Sequence, residues 1–313
     1  MIAAPARRSL QKNPKKPSVT PCGGDNGYNR GMSWILAVET STEWCSVALG
    51  RAAVDGDARC VFRHDHTGPR SSSRVLPAVA EVLAEAGARL ADCAAIAFGA
   101  GPGSFTGLRT ACGVAQGLAF GAELPVIPVN TLMACAEAVR SGPVPLPTGT
   151  AVLVTLDARM DEVYSGTFVW QAGEGGQAGE GGQPGAWRTV GAIGVGPAEA
   201  VVRPDGDYWI VGGAIAVFGE RLAVAAGATR QVPDAMPDAR ALVVIARRAL
   251  ARGETIDAAD AMPIYLRDKV AQTIAEREVV AAAKAARLAA EATAATAATA
   301  AATAVAPTPG SAT

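Results

Sequence analysis

The order of the predicted elements between residues 34 and 140 limits the fold more than any other feature of this sequence. The runs WILAVET and CSVALG read as two strands joined by the polar turn STEW, and RCVFRHDH reads as a third strand. Helix, strand, helix, strand and helix then follow one another. Tight turns join antiparallel strands, whereas helical crossovers join parallel strands. The sequence therefore predicts an α/β fold with a mixed sheet and helices on its faces.

The helices of this first half are located by their spacing and by their end residues. Apolar side chains recur on one helical face within SSSRVLPAVAEVLAEAG, and Gly87 is expected to end that helix. The strand AAIAFG leads into a second helix over residues 105–120. After the short strand LPVIPVN, the Asn130 side chain is placed to cap a third helix that continues to residue 140. These helices supply the crossovers that a mixed sheet requires.

The opening pattern occurs a second time after the Pro- and Gly-rich segment SGPVPLPTGT. The run AVLVTLDARMDEVYSGTFVW again has a strand, an acidic residue at the strand end, a polar turn and a second strand, so Glu39 and Asp157 hold corresponding places. Further on, DYWIVGGA predicts a strand and then a helix from about Ala214. Two related halves indicate a duplicated α/β fold. The expected division is a first lobe over residues 32–140, a linker over 141–150, and a second lobe over 151–272 with a Gly-rich loop insertion over 171–186.

The segments outside the two lobes have a biased composition. Residues 1–31 are basic and lack the apolar run of a secretory signal, which predicts a disordered arm; Met32, before the first strand, is an alternative start. The tandem repeat AGEGGQAGEGGQ predicts an extended hairpin loop within the second lobe. Residues 273–313 are rich in Ala and Thr without an apolar stripe, which predicts a disordered or helical tail.

Composition and charge exclude several classes of protein. The formal net charge of −1 provides no overall attraction to nucleic acid or to an anionic membrane. Six cysteines without a CxxC pair are typical of reduced thiols rather than of a disulfide framework. No apolar run reaches the roughly 18 residues that cross a bilayer. We therefore expect a cytoplasmic protein that does not enter a membrane.

The loop GPGSFTG is a candidate anion site. Gly101, Gly103 and Ser104 follow a strand and precede a helix, a position from which backbone amides can bind phosphate. The loop lacks the Lys–Ser/Thr pair of a Walker A motif, and Thr106 stands where a GxGxxG motif has its third glycine. The loop is therefore either a nucleotide-binding loop or a structural turn.

Glycines are also spaced four residues apart along the second predicted helix. Gly113, Gly117 and Gly121 each cost a helix about 0.5–1 kcal/mol relative to alanine, so a compensating close contact is expected. A stripe of small residues lets two backbones approach each other. The neighbour is either the protein's own sheet or a helix of a partner molecule.

Other polar groups could carry chemistry. His64 and His66 share one face of a strand, which allows either a two-histidine metal site or the solvated end of a hairpin. Glu39 and Asp157 could orient a metal-bound nucleotide, activate water or cap their hairpins. The sequence has no convincing Ser/His/Asp arrangement and no GxSxG motif, so nothing indicates a nucleophilic catalyst of that kind.

The chain resembles the TsaB family of bacterial proteins, which belongs to the machinery that makes threonylcarbamoyladenosine in tRNA. The resemblance is carried by ILAVETSTEWCSVAL, GPGSFTGLRTACGVAQGLAFG, PVIPVNTL, LDARMDEVYSG and PIYLRDKVA. It covers about residues 32–272, and the glycine-loop segment and LDARMDEVYSG are its most specific parts. It implies an actin-like ATPase or ribonuclease-H-like fold in two duplicated lobes.

The resemblance also implies that a sibling, TsaD, performs the chemistry. TsaD-like proteins carry a His-x-x-x-His metal motif after the short strand that follows the glycine-rich helix, and here Thr131 and Cys135 take the places of the two histidines. Threonine is a poor metal ligand, so no metal site is expected. The family often has Asp where Glu39 stands, and the longer side chain would alter any metal geometry there.

The resemblance implies a non-catalytic scaffold subunit. It would bind and activate TsaD together with TsaE for threonylcarbamoylation of the adenosine next to the tRNA anticodon, with Gly113, Gly117 and Gly121 as candidate contacts in a TsaD heterodimer. We expect no tightly bound cofactor, ATP consumption by the complex, indirect contact with tRNA, and either a monomer or a homodimer when TsaD is absent. A metallopeptidase-like enzyme and a small-molecule kinase of the same superfold are the alternatives.

Overall fold

The computed structural model of this chain describes residues 33–52, 60–173 and 185–267, and separate helical positions between 278 and 293. Three predicted segments lie wholly or mostly outside the described residues: the N-terminal arm (1–31), the Gly-rich insertion (171–186) and the tail (273–313). The described residues include both halves of the predicted duplication.

The first half of the chain forms a five-stranded mixed sheet, as predicted. Its strands are β1 (Trp34–Glu39), β2 (Trp44–Arg51), β3 (Cys60–His66), β4 (Cys93–Gly101) and β5 (Val126–Asn130). They lie in the order β3-β2-β1-β4-β5. β1 is antiparallel to β2 and parallel to β4, because a tight turn joins the first pair and a helical crossover separates the second.

The second half repeats this arrangement. Its strands are β6 (Ala151–Arg159), β7 (Glu162–Gln171), β8 (Ala186–Gly196), β9 (Tyr208–Val211) and β10 (Arg230–Val232). They lie in the order β10-β9-β6-β7-β8, with β6 antiparallel to β7 and parallel to β9. β6 therefore occupies the place of β1, which confirms the duplicated α/β fold.

The described residues form α1 (Ser71–Ala86), α2 (Phe105–Ala122), α3 (Thr131–Arg140), α4 (Ala214–Phe218) and α5 (Ala239–Ala251). Gly87 ends α1 in the left-handed conformation, and the Asn130 side chain caps α3 by accepting from the Met133 amide at 3.0 Å, both as predicted. The sequence patterns do not predict α5 or β10, whereas β8 is the strand expected after the predicted hairpin loop. Among the described residues, no helix has the length and apolar character needed to cross a membrane.

Two helices pack against the sheet that the other half of the chain forms. α1 and α2 pack on one face of the first sheet, and α4 packs on one face of the second. α5 belongs to the second half of the chain but packs on the opposite face of the first sheet, with Leu242 and Val243 in one cluster with Ile35. α3 belongs to the first half but packs through Leu132 and Cys135 in the core of the second sheet. Because α3 also contacts α5, this helix pair forms the layer between the two lobes.

Residues 261–267 pass from one lobe to the other, and we call them the interlobe strap. The Ala261 carbonyl accepts hydrogen bonds from Cys112 Sγ at 3.4 Å and from Gln116 Nε2 at 3.0 Å, both on α2. The Ile264 amide donates to the Ala100 carbonyl at 2.6 Å. These bonds attach the start of the strap to the first lobe.

The end of the strap attaches to the second lobe. Leu266 packs against the core formed around α3 and the second sheet. The Arg267 guanidinium bonds the Glu162 carboxylate and donates to the Ala158 carbonyl at 3.3 Å. The strap therefore connects α2 with the hairpin between β6 and β7.

Candidate functional site

A cavity of about 570 Å³ lies between the two lobes. Its walls come from the β1–β2 turn (residues 41–44), the start of α2 (103–105), the β6–β7 hairpin (156–159) and the interlobe strap (264–267). A cavity of this size is large enough for a small organic ligand. The chemistry of the cavity therefore depends on the glycine loop and the two hairpins that face it.

The structure separates the three residues of the predicted nucleotide loop. Gly103 and Ser104 line the cavity, whereas Gly101 is buried. Gly101 has a φ of +122°, and a Cβ there would lie 2.5 Å from the Ile264 carbonyl oxygen. A Cβ at Gly103 would lie 2.6 Å from the Cβ of Ser41. Because they lack a Cβ, these glycines let Ile264 and Ser41 lie close to the loop backbone. This close packing favours the structural-turn interpretation over phosphate binding.

The two strand-end carboxylates make the same local hydrogen bond. Glu39 Oε1 accepts from the Ser41 amide at 2.5 Å, and Asp157 Oδ1 accepts from the Arg159 amide at 2.8 Å. Each carboxylate thus bonds the amide two residues further along and orders the turn of its hairpin. The equivalence of Glu39 and Asp157 that the sequence indicates is present in the geometry, and it supports the capping interpretation of both residues.

Glu39 differs from Asp157 in its burial. The Glu39 side chain is 1% exposed, lies against Gly99 of β4, and has one oxygen, Oε2, that makes no hydrogen bond. Burial raises the pKa of Glu39 to about 7, the polar groups of Ser41 oppose this rise, and the charge of Asp238 adds to it. Asp157 instead lines the cavity.

The two histidines lie on the edge strand β3 with different partners. The His64 ring stacks on Trp44 with ring centroids 4.4 Å apart, and its Nδ1 atom is 3.7 Å from an oxygen of Asp238. His66 Nε2 is 3.4 Å from a carboxylate oxygen of Glu43. Among residues 33–52, 60–173 and 185–267, no group of three or more His, Cys, Asp or Glu side chains is placed to hold a metal ion.

Thr131 and Cys135 are both buried in α3. The Thr131 hydroxyl donates to the Pro102 carbonyl, so it holds the glycine loop against the start of α3. Cys135 packs in the core of the second lobe, and burial raises the pKa of its thiol to about 12. A thiol with such a pKa is protonated at neutral pH and is therefore a poor nucleophile.

The glycine stripe of α2 faces away from the first sheet. Gly113, Gly117 and Gly121 are exposed, and a Cβ at any of the three would meet no atom within 4 Å. Ala115 and Ala119, on the opposite side of the helix, are fully buried. The interpretation that the stripe packs on the protein's own sheet is therefore wrong.

Apolar side chains are exposed on α2 and also on α1. Phe120, three residues after Gly117 on the same side of α2, is 80% exposed, and Leu76 of the adjacent α1 is 51% exposed. The spacing of the glycines marks the surface in the sequence, but the exposure of Phe120 and Leu76 could not be read from it. We call this surface the α1/α2 face; it comprises Leu76, Gly113, Gly117, Phe120 and Gly121.

Comparisons with known proteins agree with this architecture. The model of the family described as "TsaD: tRNA N6-adenosine threonylcarbamoyltransferase" matches residues 66–275. A protein of Escherichia coli (strain K12) named "tRNA threonylcarbamoyladenosine biosynthesis protein TsaB" is 35% identical over 252 residues, which cover 76% of this chain and 96% of that protein. A protein of Haemophilus influenzae with the same name is 35% identical over 241 residues, 75% of this chain and 94% of its own length.

A solved structure gives the same result. "YeaZ from Pseudomonas aeruginosa" is 36% identical and superposes with a TM-score of 0.62 over 75% of this chain and 100% of its own. The relatives thus span both lobes, and the fold that the resemblance implies, an actin-like or ribonuclease-H-like fold in two lobes, is the fold observed. The chain belongs to the TsaB family.

Proposed function

We propose that this chain takes part in the biosynthesis of threonylcarbamoyladenosine in tRNA as a non-catalytic subunit that binds and activates a TsaD-type transferase. The names of its relatives support the pathway. The observation that carries the subunit role is the α1/α2 face, where glycines leave the α2 backbone uncovered beside the exposed ring of Phe120. Such a surface suits a helix of another protein, because small residues let two helices approach closely and an exposed aromatic ring anchors the contact.

The positions of Thr131 and Cys135 support the absence of catalysis. Thr131 stands where a TsaD-like protein has its first metal-binding histidine, and its hydroxyl is committed to the Pro102 carbonyl. Cys135 is buried and keeps its proton at neutral pH. In this proposal the chain holds no cofactor tightly, and ATP is consumed by the complex of this chain with its TsaD-type and TsaE-type partners.

The same surface explains the proposed assemblies. The α1/α2 face would contact the TsaD-type partner in a heterodimer, and when that partner is absent a second copy of this chain could occupy the same face. The low net charge argues that tRNA is bound by the partners rather than by this subunit. The TsaE-type partner would then dock on the assembled pair.

The glycine stripe provides a graded test. Gly117→Leu adds a bulky side chain into open space, so the isolated subunit is expected to fold, while capture of the TsaD-type partner and modification of tRNA in a reconstituted system fall at least tenfold. Gly117→Ala is the matched control, because it adds one methyl group and improves helix propensity by about 0.5–1 kcal/mol. It should retain most of the partner binding.

Two results would contradict the proposal. One is full tRNA modification by the TsaD-type and TsaE-type proteins without this chain. The other is normal partner capture by Gly117→Leu when circular dichroism shows the variant to be folded. Turnover of a peptide or ATP by the isolated subunit would favour the metallopeptidase or kinase alternatives instead.

A further inference from the structure

The layer between the two lobes contains a carboxylate with no access to solvent. Glu137 of α3 is 0% exposed. Its Oε1 atom accepts hydrogen bonds from Arg140 Nη2 at 2.6 Å and Ser141 Oγ at 2.9 Å, both close to it in the chain. Its Oε2 atom accepts from Arg248 Nη1 at 3.0 Å and from Trp187 Nε1 at 2.7 Å. Both carboxylate oxygens are therefore fully bonded.

The donors to Glu137 come from different parts of the fold. Arg248 belongs to α5, which packs on the first sheet, and Trp187 belongs to β8 at the edge of the second sheet. Glu137 itself lies on α3, whose other side chains pack in the core of the second lobe. One carboxylate thus joins both lobes through α5 on one side and through α3 and β8 on the other.

Two tryptophan rings lie beside the arginines that bond Glu137. The guanidinium carbons of Arg140 and Arg248 lie 4.3 and 4.5 Å from the ring centroid of Trp170, and Trp170 meets Trp187 edge to face at 5.5 Å. Guanidinium groups that are held on an aromatic face lose little additional freedom when they bond a carboxylate. The contacts with Trp170 therefore help to orient both guanidinium groups toward Glu137.

Separating the lobes at this place would be costly. Burial alone would raise the pKa of Glu137, but the hydrogen bonds and charges of Arg140 and Arg248 hold it below its usual range, so the group is a buried anion. Moving α5 away would remove Arg248, one of the two guanidinium groups that balance this buried charge. By contrast, the ion pair between Arg159 and Glu43 at the cavity joins side chains that are 67% and 53% exposed. Because solvent screens such a pair, it contributes little to holding the two lobes together.

We propose that Glu137 acts as a lock that fixes the angle between the two lobes, so that the interlobe cavity keeps one width. The contacts of Glu137 alone support the lock. Its role, which is to give a partner protein a rigid surface rather than to hinge when a nucleotide binds, rests on the proposed function. The interlobe strap adds a second connection between α2 and the β6–β7 hairpin.

The lock is tested by distances between the lobes. Spin labels on unnatural residues at the exposed positions Ala80 of the first lobe and Glu220 of the second leave the native cysteines in place. The full-length wild type should give one narrow distance distribution that is unchanged by Mg-ATP. Glu137→Gln should at least double its width. Arg159→Ala is the matched control and should match the wild type, because the ion pairs that it removes, with Glu43 and Asp157, belong to a side chain that is 67% exposed.

A second variant keeps the lock testable if Glu137→Gln does not fold. Trp187→Phe combined with Arg248→Gln keeps Glu137 paired with Arg140 but removes its links to α5 and β8, and it should broaden the distribution as well. A wild-type width in Glu137→Gln or in the double variant would overturn the lock, as would narrowing of the wild type by Mg-ATP. Capture of the TsaD-type partner by the wild type is measured separately, so failure of the proposed function and failure of the lock give different results.

Discussion

The carboxyl group of Glu39 is buried in the first lobe, and no counter-ion contacts its Oε2 atom among the described residues. Its Oε1 atom orders the β1–β2 turn through the Ser41 amide, but its Oε2 atom is buried without a hydrogen-bond partner. Asp238, which caps α5 and is itself buried, adds negative charge nearby, and the closest imidazole to Asp238, that of His64, is half-buried. Burial therefore makes the neutral form of Glu39 the favoured one in the folded protein.

This arrangement predicts that the folded protein loses stability as the pH rises from acidic to neutral. Because the pKa of Glu39 is about 7 in the folded protein and 4.5 as its ordinary value, the folded state binds the proton more tightly than the unfolded state. The free energy of unfolding should therefore fall as pH rises from 4.5 to 7, by roughly 3 kcal/mol at about 1.4 kcal/mol per pH unit.

Glu39→Gln removes the titrating group and should abolish this component. Denaturant unfolding of the wild type and of Glu39→Gln at pH 5 and pH 8 measures the difference. The variant is expected to lose roughly 2–3 kcal/mol less than the wild type between these two pH values. An equal loss in the two proteins would show that other groups control the pH dependence.

Gly101 gives a second prediction at the scale of one residue. Gly101→Ala should lower the free energy of unfolding by roughly 2–3 kcal/mol, because an alanine there has an unfavourable φ and approaches the Ile264 carbonyl oxygen to 2.5 Å. Gly113→Ala on the neighbouring helix is the control, since its Cβ meets nothing within 4 Å. It should raise stability by about 0.5–1 kcal/mol. Chemical denaturation that ranks the two variants in the opposite order would refute the assignment of Gly101 to packing.

At the scale of the element, α2 carries two different stripes of small residues. Alanines face the first sheet and set the distance of the helix from it, whereas Gly113, Gly117 and Gly121 face outward. Glycine lowers helix stability on a surface where alanine would fit. The exposed glycines therefore do not help α2 to fold, which is consistent with the partner contact proposed for them.

Phe120 allows the two roles of α2 to be separated. Phe120→Ser should change the free energy of unfolding by less than about 0.5 kcal/mol, since the side chain is 80% exposed, but it should weaken binding of the TsaD-type partner at least tenfold. Val202→Ser is the matched control: Val202 is 79% exposed on the second lobe. Isothermal titration with the purified partner measures both variants. Equal affinities for the two would remove Phe120 from the interface.

The elements that could be predicted have strong local patterns. β1 and β4 are short apolar runs, and α1 has a regular apolar face that ends at Gly87, so their periodicity and end residues identify them. β8 is an edge strand without a buried residue, and β10 has only three residues, so the bounds of both strands depend on their neighbours more than on their own sequences. α5 does have a local signal, the Asp238 cap before an apolar stripe, which sequence analysis could have found.

The contacts of the site could be predicted only in part. The capping bonds of Glu39 and Asp157 connect residues two apart, so the pattern of strand, acid and turn is enough to suggest them. The bond from Arg248 to Glu137 joins residues 111 apart in the sequence. No local pattern records such a pair, because it forms only when α3 and α5 meet between the lobes.

At the scale of the whole molecule, the exchange of α3 and α5 makes the two lobes depend on each other. The inner face of the first sheet, with Ile35 and Ala97, is covered by α5, and the inner face of the second sheet is covered by α3. Neither half of the chain contains all of the helices that bury its own sheet. Stability should therefore belong to the chain as one unit.

Calorimetry of the full chain tests this dependence. We expect one unfolding transition with a ratio of calorimetric to van't Hoff enthalpy of about 1. The isolated fragment 32–150 should lack a cooperative transition and should bind a hydrophobic dye, because the face that α5 covers would be exposed. Two resolved transitions in the full chain, or a fragment that folds on its own, would contradict the argument.

The same exchange has a consequence for synthesis on the ribosome. When translation reaches residue 140, all five strands of the first sheet exist, but α5 does not begin until residue 239. At a rate of roughly 5–20 residues per second, about 100 further residues take roughly 5–20 s. During that interval one apolar face of the nascent sheet stays uncovered. A cellular chaperone that recognises apolar strands should therefore meet this chain during its translation more than after its release.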